Sequence, residues 1–199
     1  MQYFINPVFL IMKNIFLAFV LIVICFNANA QKNKYDSTMK IGKTGYRVIC
    51  NNKANNKNSL RIKPIGFEET KDEFEIALKG KVSGAEVDDL NNDGFPDLVV
   101  YVITDDIKGK GTVIALASNE NKGVLPIYFP SIIENEKLKQ GYDGNDSFKL
   151  INGVLSHKFT LTSEGKEQYA VARQVLYTVV KNETGWKFSV LRSLEIPRP

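Results

Sequence analysis

Four oxygen-bearing side chains recur at fixed intervals in one short stretch, Asp89-Leu90-Asn91-Asn92-Asp93-Gly94-Phe95-Pro96-Asp97. Asp89, Asn91, Asp93 and Asp97 stand at positions one, three, five and nine of a calcium-loop spacing, and Gly94 stands at position six, where such a loop turns sharply. Hard cations take oxygen ligands, and alternating positions of a tight loop converge on one point. The spacing predicts a Ca2+ site formed by the side chains of Asp89, Asn91 and Asp93 and the backbone carbonyl of Phe95, with Asp97 completing it directly or through water. Position twelve, where an EF-hand carries Glu, is Val100, so the loop does not belong between two helices. A polar turn accounts for Asn92-Asp93-Gly94 taken alone. It does not account for four oxygen donors at this spacing.

Other chemistry is sparse. His157 is the only histidine, and Leu155, His157, Phe159 and Leu161 alternate onto one face of a predicted strand. A histidine there is expected to be packed rather than a base. No phosphate-cradling glycine loop or zinc spacing occurs, and no Ser, Cys or Asp partner for His157 stands out. No catalytic residue is assigned, and a non-enzymatic protein is expected. The formal net charge of +4 is too small for a domain of this length to argue for nucleic acid. Basic residues are densest from Lys32 to Lys63, among many asparagines, and suggest a solvated segment.

These residues must be positioned by strands. The apolar run Ile15–Phe26 follows Lys13 and precedes Ala28-Asn29-Ala30, which is the layout of a cleaved signal peptide. Residues 1–30 then form a leader with an upstream extension, 31–44 a flexible segment, and 45–199 one domain that is periplasmic or secreted, with no membrane span. Cys50 is left without a disulfide partner and reads as a small buried hydrophobe. Tyr46–Cys50, Leu60–Ile65 and Phe74–Leu78 read as strands, and the continuous apolar run Leu98–Ile103 as a strand covered on both faces. Thr112–Ala117 is its expected hairpin partner. Asn152-Gly153 predicts a hairpin between Phe148–Ile151 and Val154–Leu161, because both turn positions need positive φ. Tyr169–Val180 and Trp186–Leu191 predict a C-terminal hairpin. Ser131-Ile132-Ile133-Glu134 is a capping box and predicts one short helix ending at Gly141. The expected fold is all-β, an antiparallel β-sandwich with one short helix.

The order of features resembles the family of periplasmic inhibitors of invertebrate-type lysozyme. Three places carry it: the acidic loop running into a strand; Gly141-Tyr142-Asp143-Gly144-Asn145-Asp146-Ser147-Phe148, a Gly-Tyr-x-Gly-x-Asp-x-Phe pattern; and Gly153–Phe159, followed by a long strand and a Trp-bearing last strand. The resemblance implies an antiparallel sandwich that inserts a loop into a lysozyme cleft. By order along the chain that loop is Thr104–Thr112. The family's loop looks like Ser-Gly-x-x-Tyr, whereas Lys108-Gly109-Lys110-Gly111 here holds neither the Ser nor the Tyr. Its cations would face catalytic carboxylates instead. The expectation is an exported binding protein resembling a lysozyme inhibitor, with Lys108, Gly109, Lys110 and Gly111 meeting a lysozyme or another envelope protein. The alternatives are a calcium-stabilised envelope module with another partner and, behind it, an envelope hydrolase.

Overall fold

Alternating apolar positions and frequent left-handed turn residues commit the chain to short strands, and these form two sheets. The computed structural model describes residues 34–53, 57–104, 107–162 and 171–197. The expected leader, residues 1–30, therefore lies outside the described residues. The first sheet has four antiparallel strands in sequence order: β1 (Tyr35–Ile41), β2 (Thr44–Cys50), β3 (Asn58–Ile65) and β4 (Phe74–Leu78). The second has eight strands: β5 (Lys81–Asp88), β6 (Asp97–Ile103), β7 (Gly111–Asn119), β8 (Gly123–Tyr128), β9 (Ser147–Ile151), β10 (Val154–Thr160), β11 (Val171–Asn182) and β12 (Gly185–Pro197). Their order is β5-β6-β7-β8-β12-β11-β10-β9, and among the described residues the only parallel pairing is between β12 and β8, at Trp186 with Ile127 and Lys187 with Tyr128.

The eight-stranded sheet curls so that its two halves enclose one core. Val99, Tyr101, Val113 and Ala115 from one half meet Leu155, Phe159, Val175, Tyr177 and Phe188 from the other. Carboxylates link the end strands β5 and β9. Glu86 accepts from the Leu150 N–H at 3.3 Å, and Asp88 from the Gly153 N–H at 2.7 Å. The four-stranded sheet covers the outer face of β5–β7. There Tyr46, Val48, Leu60 and Ile62 pack on Leu98, Val100, Val102 and Leu116. β6 is thus buried on both faces, as its unbroken apolar run requires. The Asn152-Gly153 turn has φ of 50° and 75°, and it joins β9 to β10 as the dipeptide predicts.

Three elements differ from expectation. Residues 31–44 were expected to be flexible, but the compact unit begins at Tyr35, and β1 pairs along its whole length with β2. Tyr35 and Met39 pack on the core while Asp36, Thr38 and Lys40 face water, so its polar composition is that of an edge strand. The predicted helix is only a 3-10 turn, Ile132–Glu134, with no side-chain cap at Ser131. Glu134 accepts from the Tyr128 hydroxyl instead of reaching back, and the Arg173 guanidinium donates to the carbonyls of Lys137 and Leu138. Tertiary donors have replaced the helical ladder. β8 was not anticipated, because Pro126 within it disguises a strand. Among the described residues, no helix is long and apolar enough to cross a membrane.

Candidate functional site

The acidic loop connects β5 to β6, and its side chains first organise their own backbone. Asp89 accepts from the N–H groups of Asp93 at 3.0 Å and Gly94 at 2.9 Å. The Asn91 side-chain oxygen also accepts from the Asp93 N–H, while its amide donates to the Asp93 carboxylate at 2.8 Å. Asp93 accepts from the Phe95 N–H at 2.9 Å. These bonds hold the sharp turn, in which Asn92 and Gly94 take φ of 58° and 85°. Each carboxylate oxygen offers more than one lone pair, so the bonds leave acceptor capacity for a hard cation.

Asp97 is placed differently from the other four expected ligands. It is 0 % exposed, and its two oxygens accept from the Leu90 N–H at 2.9 Å and the Ser118 N–H at 2.8 Å. Burial pushes its carboxyl up to about 7. The two N–H bonds oppose that rise, and Asp93 and Asp89 add to it. Asp97 braces the loop against β7, while Asp89, Asn91, Asp93 and Phe95 remain on the open side. Among the described residues, no three His, Cys, Asp or Glu side chains converge as a metal cluster. The donor chemistry that fits a hard cation is the oxygen set of Asp89, Asn91, Asp93 and the Phe95 carbonyl.

The Lys108–Gly111 tip is anchored along its backbone. The Lys110 carbonyl accepts from the Thr104 N–H at 2.7 Å, and the Gly109 carbonyl from the Asp146 N–H at 3.0 Å. The Lys108 carbonyl accepts from the Asn145 N–H, and the Lys108 ammonium pairs with Asp143. Gly144 is required here: its φ is +83°, and a Cβ would lie 2.2 Å from the Lys108 carbonyl oxygen. Gly111 is equally confined, with a hypothetical Cβ 2.6 Å from the Phe148 ring. Ile107 stands free at the tip with 103 % relative exposure. Asp105 and Asp106, the start of the expected loop, lie outside the described residues.

Beneath the tip, Asp146 is a hub that the reading of the sequence missed. Its carboxylate accepts from the Gly111 N–H and the Tyr142 hydroxyl, and its other oxygen lies 2.7 Å from His157 Nε2. His157 is 1 % exposed, and Phe148 stacks on it with ring centres 4.3 Å apart. Its Nδ1 has no hydrogen-bond partner among the described residues. Every fixed position of the Gly-Tyr-x-Gly-x-Asp-x-Phe pattern is therefore used, from the turn at Gly141 to the stack at Phe148. The signal was present in that pattern. What sequence could not supply was that Gly111 and His157 arrive at the same carboxylate.

The arrangement defines a class: an all-β protein with a curled sheet, a carboxylate-organised loop, and a hairpin tip fixed from below by a buried polar hub. The chain matches no protein-family model, no curated protein and no solved structure.

Proposed function

We propose that the protein is an exported, non-enzymatic binding module whose Ile107–Gly111 tip enters the cleft of a partner. The preferred partner is a lysozyme-type hydrolase with catalytic carboxylates. The observation that carries this reading is Ile107, a fully exposed isoleucine on a tip whose backbone is held at Lys108, Gly109 and Lys110. An apolar side chain offered from a preorganised backbone loses little conformational freedom on docking, which is how a small element becomes an affinity anchor. The exposed Lys110 side chain follows it with positive charge suited to an acidic cleft, while the Lys108 ammonium is paired with Asp143. Asp89, Asn91, Asp93 and the Phe95 carbonyl would hold Ca2+ and stiffen the neighbouring corner.

The test is turnover by a panel of animal-type, invertebrate-type and bacterial muramidases, with folded protein in calcium. Ile107→Asp combined with Lys110→Glu places two acids against the cleft and should weaken inhibition by about thirtyfold or more, the scale of a lost hot spot. Failure of the native protein to inhibit any muramidase would move the reading to an envelope module with another partner. Inhibition unchanged in the double variant would place the contact surface elsewhere.

A further inference from the structure

The charges on the outer face of the four-stranded sheet are sorted. Cross-strand register puts Asp36, Ile49, Arg61 and Glu75 in one row, Thr38, Arg47 and Lys63 in the next, and Lys40, Gly45 and Ile65 in the last. The first row is neutralised internally. Arg47 reaches back to Asp36 with two hydrogen bonds of 2.9 and 3.0 Å, and Arg61 meets Glu73 at 3.1 Å. At the other end Lys40, Lys43, Lys63 and Lys71 are exposed, and none has an ion-pair partner among the described residues. Asp72 adjoins Lys71 in sequence and is exposed, while Glu68 and Glu69, on the other side of Lys71, contribute to the field at Lys122.

Two further features mark this corner. Lys63 stands directly opposite Arg47, whose charge Asp36 balances from the other side. Ile41, at the β1–β2 turn between Lys40 and Lys43, is 46 % exposed. Arg47, Lys63, Lys71 and residues 64–67 line a hollow of about 470 Å³. Cations alone would suit any polyanion. An exposed aliphatic side chain between two lysines adds a preference for a surface whose anions lie over an apolar layer.

We infer that this corner, independently of the tip, docks the protein on an anionic phospholipid surface. Lys40, Lys43, Lys63 and Lys71 meet headgroup phosphates, and Ile41 enters the boundary below them. The experiment is co-sedimentation of the full chain with vesicles of phosphatidylcholine alone and with vesicles containing about one third phosphatidylglycerol, a strongly anionic surface. The readout is the ratio of the two partition constants, which cancels apolar contributions common to both. The ratio should be well above one and fall with added salt. Lys63→Gln with Lys71→Gln should lower it about 25-fold, at about fivefold per juxtamembrane cation. Ile41→Ser should weaken binding to anionic vesicles without changing binding to soluble inorganic polyphosphate. Circular dichroism confirms that each variant is folded. A ratio near one for the native protein, or the same ratio in the double lysine variant, overturns the inference. Binding to polyphosphate with no preference for anionic vesicles also overturns it, and assigns the corner to a soluble polyanion.

Discussion

Asp97 and Asp146 are both buried carboxylates that accept a backbone N–H, yet they organise their surroundings in different ways. Asp97 receives only backbone donors, from Leu90 and Ser118. It fixes the course of the chain, and its loop keeps a row of oxygens on the solvent side. Asp146 receives one backbone donor, at Gly111, and two side-chain groups, Tyr142 and His157. It fixes a tip by tying it to the interior of the curled sheet. In the proposed reading, one carboxylate shapes a loop for something small and positive. In the same reading, the other holds a tip offered to something large.

The largest effect should come from Asp146→Ala. It leaves the Gly111 N–H, the Tyr142 hydroxyl and His157 Nε2 without their common acceptor, and loss of one partner from a buried network costs about 3–5 kcal/mol. Urea denaturation measures it. Amide exchange at Gly111 and at Asn145, the donor to Lys108, should accelerate beyond the global change. A loss below about 1 kcal/mol would mean that the hub does not hold the tip. The acidic loop should show the next effect. An ion bound only by the native loop stabilises by about 2.7 kcal/mol at a hundred times its dissociation constant. Melting with calcium and with chelator should therefore differ, and Asp93→Ala should erase the difference. Coincident curves for the native protein would remove the metal from the comparison.

How much of this was legible in the sequence depends on the range of the interaction. The turn of the acidic loop is local: the backbone bonds accepted by Asp89, Asn91 and Asp93 span five residues or fewer, so spacing alone predicted the turn at Gly94. The two-sided burial of β6 was legible for the same reason, because its apolar run is continuous. Asp97 shows the limit. Its position in the loop suggested a ligand, but its donor Ser118 lies 21 residues away, and no spacing rule announces that bond. The hub is more distant still, since Gly111 and Asp146 are 35 residues apart. The helix failed because its capping box competes with Arg173 and Tyr128, both supplied by the tertiary fold. β1 was obscured because an edge strand with one wet face has the composition of a loop.

Asp97 also gives the comparison a pH dependence. Its carboxyl is raised from 3.8 to about 7 in the folded protein, so the folded state favours the protonated form. Its contribution to stability is then fully present below the unfolded value and is lost as pH rises through about 7. Asp97→Asn cannot titrate, and it sets an amide N–H₂ against one of two backbone donors, at a cost of about 1–3 kcal/mol. In chelator, the native protein should be more stable than the variant at pH 4, and the gap should narrow toward pH 7. Urea series across that range measure it. A gap that widens with pH would show that the two N–H bonds outweigh burial.

The smallest effect on stability is expected at Lys110, and it separates the shape of the tip from its charge. The Lys110 carbonyl is held by Thr104, but its side chain is exposed and takes no part in that bond. Lys110→Glu should therefore change stability by no more than about 0.5 kcal/mol. Lys108→Glu is different. The Lys108 side chain pairs with Asp143, so reversal sets two acids together and removes a surface pair worth about 0–1 kcal/mol. Thermal melts of both variants, with amide exchange at Asn145, distinguish the two roles. Lys110→Glu should keep the tip ordered while weakening capture by an acidic cleft, whereas Lys108→Glu should loosen the tip as well. If Lys110→Glu also destabilises by more than about 1 kcal/mol, its charge is part of the anchor. The tip would then hold itself in place partly with the side chains it was expected to present.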